Sequence, residues 1–305
     1  MTGICASYRG TMLPGAMLCL GCFLWISGCR SNKKEPWEEA PLRPDQVEQV
    51  TLQEEAALRI DRVRFFYREL NEPRFFLALV PKAGAPLDQV WILNHGWADR
   101  PETMLAALKI DQVYARLLAE RKVHPALIVL PDVRFPAFFR NRRNEYPFAQ
   151  YLTLVGEDAA RTVSTRYNIP FSREKWGIGG FSFGGYLSLD VGRRYPGRFG
   201  SVSVVSGFYE EGWTFWPASP PPPGAVDAQG RGMQTIVVPG PTPSLFLACG
   251  TEDGFYSNMV QLRQKLERLG LHPQWSSGPG AHSWTYWASV LEPMFLFHLG
   301  TQAQE

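Results

Sequence analysis

Apolar and polar residues follow two rhythms along this chain, and their alternation predicts a layered α/β domain. A continuous apolar run, of the kind that forms a strand buried on both faces, occurs at 244–249, and the shorter segments 89–93, 126–131, 175–179 and 201–206 also read as strands. Further strand candidates are 63–68, 74–80 and 271–276. Between the runs, longer segments predict helices over 102–119, 149–167, 184–195, 257–269 and 284–299. Strand following helix in turn calls for a parallel sheet with crossover connections. There is no internal repeat.

One junction in this pattern carries chemistry. Gly180-Phe181-Ser182-Phe183-Gly184 is a G-x-S-x-G sequence with the predicted strand Lys175–Gly179 before it and a helix-like run from Tyr186 after it. A serine on a sharp strand-to-helix turn is held in a strained conformation with its hydroxyl presented, and glycine on either side lets backbone pass close by. The following helix directs its positive end at the site, and the Phe183 amide is placed to donate to an oxyanion. Alone, such a tract is usually a plain turn; the flanking strand and helix make it a nucleophile elbow.

A serine hydroxyl needs a base, and the base an orienting acid. After an elbow the partners come in the chain order serine, acid, histidine, which leaves three of the five histidines. His272 sits in or near a strand, and His298 lies in an apolar helix end where a core histidine is the ordinary outcome. His282 stands in a glycine-rich loop, Gly278-Pro279-Gly280-Ala281-His282-Ser283-Trp284, and is the candidate base. The apolar run Ser244–Cys249 empties into Gly250-Thr251-Glu252-Asp253-Gly254. Asp253 is preferred as the acid because Gly254 allows a tight loop, with Glu252 as the alternative. A second oxyanion donor is expected after the strand Gln89–Leu93, from Gly96 or, preferably, Trp97 N–H. His95, which precedes the serine, fits a histidine supporting that loop.

From about residue 60 to 300 the chain resembles the esterase branch of the α/β-hydrolases, which includes esterase D, enterochelin esterase and feruloyl or acetylxylan esterase modules. The resemblance rests on Leu93-Asn94-His95-Gly96, Leu130-Pro131-Asp132, the elbow, Tyr195-Pro196-Gly197-Arg198-Phe199-Gly200, Cys249–Asp253 and Gly280-Ala281-His282-Ser283-Trp284. It implies an α/β-hydrolase fold with an eight-stranded, mostly parallel sheet, helices on both faces, and a triad of Ser182, Asp253 and His282. Gly207-Phe208-Tyr209 departs from relatives that often carry a second serine and a tryptophan pair there, which weakens the transfer of substrate identity.

A chain of 305 residues with 45% hydrophobic content can bury one large core, and a net charge of +2 does not suggest a nucleic-acid partner. The N-terminus adds a separate element. An apolar, acid-free run from Met12 to Ser27 follows Arg9 and is too short for a comfortable span of about 20 residues. It closes on Ile26-Ser27-Gly28-Cys29, resembling a bacterial lipoprotein signal (1–28) with lipid on Cys29. Residues 29–59 then read as a tether, with at most one short helix, and 60–305 as the esterase domain. The expected location is the cell envelope, on the outer membrane where one exists, since Arg30 rather than Asp follows the cysteine. Cys5, Cys19 and Cys22 would leave with the signal, so Cys249 alone remains in the domain and no internal disulfide is possible. Cys249 reads as a small buried hydrophobe. No cofactor is implied, and no spaced cluster suggests a metal; His95 with Asp99 is too weak a signal.

The stretch 207–243 reads as a lid-like insertion. Trp213, Phe215 and Trp216 are candidates to stack on a sugar or aromatic ring, or equally to pack on their own domain. Arg140, in a basic loop, could receive an anionic substrate. The reading these features support is a serine carboxylester hydrolase acting on acyl or feruloyl esters of sugars or on a siderophore-like ester. An acyltransferase with the same triad is the alternative, and a non-catalytic binding module the alternative of another class.

Overall fold

The computed structural model describes residues 42–69, 71–82, 87–97, 99–134, 152–210, 213, 215 and 241–301. They build one sheet of nine strands with helices packed over it. The strands are β1 (Glu48–Glu54), β2 (Leu58–Tyr67), β3 (Glu72–Pro81), β4 (Val90–Asn94), β5 (Leu127–Pro131), β6 (Trp176–Phe181), β7 (Ser201–Val205), β8 (Ser244–Gly250) and β9 (Gln274–Gly278). Their spatial order is β1-β2-β3-β5-β4-β6-β7-β8-β9. β1 to β3 run antiparallel to one another and β3 antiparallel to β5, whereas every pair from β5 across to β9 is parallel.

The residues explain the division. β4 (VWILN), β5 (LIVLP) and β6 (WGIGGF) are buried at every position, as strands covered on both faces must be. β1 (EQVTLQE) is exposed along most of its length and stands at the edge. The helices are α1 (Pro101–Leu108), α2 (Ile110–Ala119), α3 (Ala160–Tyr167), α4 (Phe183–Arg194), α5 (Tyr256–Arg268) and α6 (Trp284–Leu299), with a π-helical turn, Leu154–Ala159, leading into α3.

Three expectations change. The sheet has nine strands rather than eight, because β1 adds an edge strand within the stretch read as a tether. The domain therefore begins before residue 60, and residues 42–59 hold no helix. The helix expected over 102–119 is two helices, since Lys109 takes left-handed backbone (φ 50°), ending α1 and starting α2.

At the N-terminal ends of the central strands, α6 delivers His298 against the sheet. Its ring nitrogens lie 2.7 Å from Ser201 Oγ and 2.8 Å from Ser203 Oγ, and its ring stacks on Trp91 at 4.7 Å. Glycine at 177 is what lets the ring in, because a β-carbon there would overlap the imidazole. One nitrogen donates and the other accepts in the neutral ring, and the two serine hydroxyls can serve either tautomer. Burial pushes the His298 pKa down from 6.5 to about 3. The unfolded chain binds a proton here near pH 6.5 while the folded chain does not. This residue's contribution is thus constant above pH 6.5 and is lost as the pH falls from there toward 3. Urea-unfolding midpoints measured across that range should fall less steeply for His298→Gln than for wild type; an unchanged slope would show that the ring is not held neutral.

Candidate active site

The elbow between β6 and α4 places Ser182 at φ 56°, ψ −122°, a conformation that side-chain-bearing residues rarely adopt. Two glycines make it possible. A β-carbon at Gly180 would stand 2.7 Å from the Asn94 carbonyl oxygen and closer still to Gly184, and one at Gly184 would strike the same Asn94 carbonyl. The ladder holds the turn from the other side, with Ser182 N–H donating to Val205 O at 2.8 Å. Asn94 is itself buried, and its side-chain amide donates to Ser188 Oγ at 3.0 Å, which in turn donates to Gly184 O at 2.6 Å.

Two loops bring in the partners. The loop after β8 and the loop after β9 are stitched by Thr251 N–H to Gly278 O (2.9 Å) and Glu252 N–H to Gly280 O (3.0 Å). Gly250 and Gly280 meet backbone to backbone, and Gly280 takes φ 146°, an angle that favours glycine. His282 Nε2 lies 2.9 Å from Ser182 Oγ, while its Nδ1 lies 2.9 Å from Asp253 Oδ2 and 3.1 Å from Oδ1. Phe255 N–H donates to Asp253 Oδ1 at 2.9 Å. Burial would raise the Asp253 pKa, but the bonds from His282 and Phe255 outweigh it and hold the carboxyl below its usual range. The structure joins Asp253 to His282; the neighbouring Glu252 is exposed. The imidazole is fixed edge-on by Phe255 (5.3 Å) and Trp287 (5.0 Å).

His95 has a different position and task. Its Nε2 accepts from Val133 N–H at 3.1 Å, which leaves the proton on Nδ1, and Nδ1–H donates to Gly96 O at 2.8 Å. The C=O and N–H of one peptide point opposite ways, so pinning Gly96 O turns the Trp97 N–H to the other side. A β-carbon at Gly96 would stand 3.5 Å from Ser182 Cβ, so this loop lies directly on the serine. Asp132 is 3.7 Å from His95 Nε2 and paired with Arg134. Burial works against its ionised form, yet the paired Arg134 guanidinium holds its pKa far below the ordinary value. Phe183 and Trp97, whose backbone amides are the two expected oxyanion donors, meet edge-to-face through their rings at 5.2 Å.

Two of the expected stacking residues face inward. Trp213 is 8% exposed and packs on Tyr186 at 4.8 Å with the Arg193 guanidinium over it at 4.9 Å. Phe215 is 2% exposed, beside Tyr209 and under Lys265. Their own domain uses both rings, since burying so large an aromatic surface outweighs leaving it to solvent. Trp216, Arg140 and Cys29 lie outside the described residues. The aromatic residues that do reach the site were not singled out in the sequence. Phe208 and Phe255, both partly exposed, stack at 5.3 Å beside His282. Their signal is position alone, just after β7 and two residues after the acid. Cys249 is buried and free, with burial pushing its thiol up to about 12, as suits a packing residue. Among the described residues no group of three or more His, Cys, Asp or Glu could hold a metal ion.

A strained serine between strand and helix, with a histidine from the loop after β9 and a carboxylate from the loop after β8 in line with it, defines the architecture of an α/β-hydrolase. The family model described as Putative esterase matches residues 70–298, and the chain belongs to that family of serine esterases. An acetyl esterase from Caldicellulosiruptor saccharolyticus is 20% identical over 268 residues, covering 78% of this chain and 97% of that protein. A ferulic acid esterase from Anaeromyces mucronatus, solved with ferulic acid, superposes with a TM-score of 0.61 at 19% identity, covering 81% of this chain and 92% of that one. An S-formylglutathione hydrolase from Agrobacterium tumefaciens gives 0.59 at 15% identity, covering 82% and 98%.

The close approach at the elbow has a direct test. Gly184→Ala drives a methyl into the Asn94 backbone, so it should cost about 1–3 kcal/mol of stability and most of the esterase activity. Thermal unfolding together with turnover would check both; a fully active, fully stable variant would show that α4 can retreat from β4.

Proposed function

We propose that the protein is a carboxylester hydrolase in which Ser182, His282 and Asp253 act as a catalytic triad. The observation that carries this reading is His282, hydrogen-bonded through Nε2 to Ser182 Oγ and through Nδ1 to Asp253. Ser182 Oγ attacks the ester carbonyl carbon as its proton passes to His282 Nε2. Negative charge moves to the carbonyl oxygen, where the amides of Phe183 and Trp97 receive it. Asp253 stabilises the imidazolium, which then gives its proton to the departing alkoxide. Water, deprotonated by His282, attacks the acyl-enzyme, and the acid leaves as Ser182 regains its proton. The His282 side chain is 29% exposed, so water can reach the base, and hydrolysis is the proposed reading.

The substrate reading is an ester with an aromatic or short acyl part. Its support is the partly exposed Phe208–Phe255 pair beside His282, together with the acetyl and ferulic acid esterases among the similar proteins. Assays with p-nitrophenyl acetate, methyl ferulate and acetylated xylan would rank these classes.

Ser182→Ala should lower kcat by several orders of magnitude, about 10⁶-fold at the upper end for a triad serine, with the fold intact. Asp253→Asn should lose up to about 10⁴-fold, because the amide misorients the imidazole, while Glu252→Gln should stay near wild type. Retained turnover in purified Ser182→Ala would defeat the triad, and a worse loss in Glu252→Gln would move the acid by one residue.

We further propose that Cys29 is lipidated and tethers the enzyme to a membrane; the support is the Ile26-Ser27-Gly28-Cys29 ending behind an apolar run. A single acyl chain holds a bilayer only marginally, with a constant of about 10⁴ M⁻¹, so a stable tether requires more than one chain. Mass spectrometry of the mature N-terminus should find a multiply acylated Cys29; an unmodified cysteine would refute the tether and leave the esterase reading intact.

A further inference from the structure

Ser206 ends β7 with two costs that the fold does not require. Its backbone is left-handed, φ 49°, where glycine or asparagine is more at ease than serine. Its hydroxyl is buried, with the residue at 0% exposure, and Oγ forms no hydrogen bond in this conformation. A buried hydroxyl left unbonded is unfavourable, so an alanine or glycine here would make a more stable protein unless the hydroxyl serves a purpose.

Its location supplies the purpose. Ser206 N–H donates to Ala248 O at 2.8 Å, tying the end of β7 to the strand that leads into the acid loop. The residue before it, Val205, accepts from Ser182 N–H. Ser206 is therefore a joint in the backbone between nucleophile and acid. Its Oγ lies beside the Asp253 carboxylate and the Cys249 thiol, short of a well-formed bond to either. The carboxylate has room for it. An ionised carboxylate offers about four lone-pair sites. Oδ1 receives Phe255 N–H, and His282 Nδ1 bridges the two oxygens with its shorter contact at Oδ2.

We propose that Ser206 is a positioning residue for Asp253: its hydroxyl donates to the carboxylate and fixes the rotamer from which Asp253 orients His282. This rests on the triad reading above. It adds a fourth member to the hydrogen-bonded series, one that never touches substrate. The left-handed backbone aims the short side chain back at the acid loop, and Gly207, where a β-carbon would press on Val204, completes the tight exit from the strand.

The backbone strain makes the test discriminating. Ser206→Gly removes the hydroxyl and relieves the positive φ, while Ser206→Ala removes the hydroxyl and keeps the strain. If the residue only filled space, the glycine variant would match wild-type activity. The proposal expects both variants to lose about tenfold to a hundredfold in kcat on p-nitrophenyl acetate with KM little changed, the scale of a hydrogen bond to a charged group. It also expects the acidic limb of the kcat/KM profile to move to higher pH, because losing a donor weakens the hold on ionised Asp253 and the limb belongs to the coupled Asp253–His282 pair. Thermal unfolding should find Ser206→Gly at least as stable as wild type. Wild-type kcat and an unmoved acidic limb in Ser206→Gly would overturn the proposal, as would a loss confined to Ser206→Ala that follows its stability. Asp253→Asn assayed alongside separates the two readings. If it stays active, the triad fails and this inference with it. If it is inactive while Ser206→Gly is unimpaired, only the role of Ser206 falls.

Discussion

The contact on which the rest of the site depends is between backbones, where the elbow crosses the end of β4. Gly180 and Gly184 both rest against the Asn94 carbonyl, a separation that no side chain tolerates. Because that approach is fixed, α4 must start where it does, and the serine between the glycines must accept a conformation it would otherwise avoid. The cost of order 1–3 kcal/mol for such backbone is recovered from the buried surroundings, since α4 is covered along nearly its whole length. The same crossing puts His95 and Gly96 next to the serine, so Ser182 and the loop expected to face its oxyanion are placed by a single contact.

Around it the polar groups are arranged to leave little freedom. His95 is locked as one tautomer by Val133 N–H and spends its only proton on Gly96 O. Asp253 is bound by a backbone amide and by His282, while the loop that carries His282 is sewn to the acid loop by backbone bonds. A site preorganised in this way has little reorganising to do as charge develops, and that is where electrostatic catalysis gains its advantage.

The sequence exposed the site more fully than the sheet. Ser182, Asp253 and His282 were readable because each sits where strand, glycine and loop must coincide, and such coincidences leave marks in a single chain. β1 left none. Its side chains face solvent for most of its length, so EQVTLQE has no apolar rhythm, and only pairing with β2 makes it a strand. The break at Lys109 was equally silent, since nothing in the surrounding residues forbids one continuous helix and tertiary packing decides the turn. Trp213 and Phe215 show the opposite failure: aromatic rings in a proline-rich segment advertise a binding surface, but Arg193 and Lys265 cover their faces. Ser206 carries no motif at all, because its distinction lies in a backbone angle.

β1 has a consequence for how the sheet ends. On β2, Asp61 is fully buried and held by the Arg59 guanidinium beside it at 2.9 Å as well as from β1, by Gln49 at 2.7 Å and Thr51 at 2.9 Å, and Arg64 pairs with Glu48. β1 thus acts as a polar selvage, a finished border that turns a chemically hungry strand into a charged, irregular one with a register shift between Thr51 and Gln53. A chain cut back to residue 60 would present what is left of β2 bare, with Asp61 stripped of Gln49, Thr51 and Arg59 and an open row of amides and carbonyls. Such an edge recruits strands from other molecules. The few residues that look most like an idle leader are the ones that finish this border of the sheet.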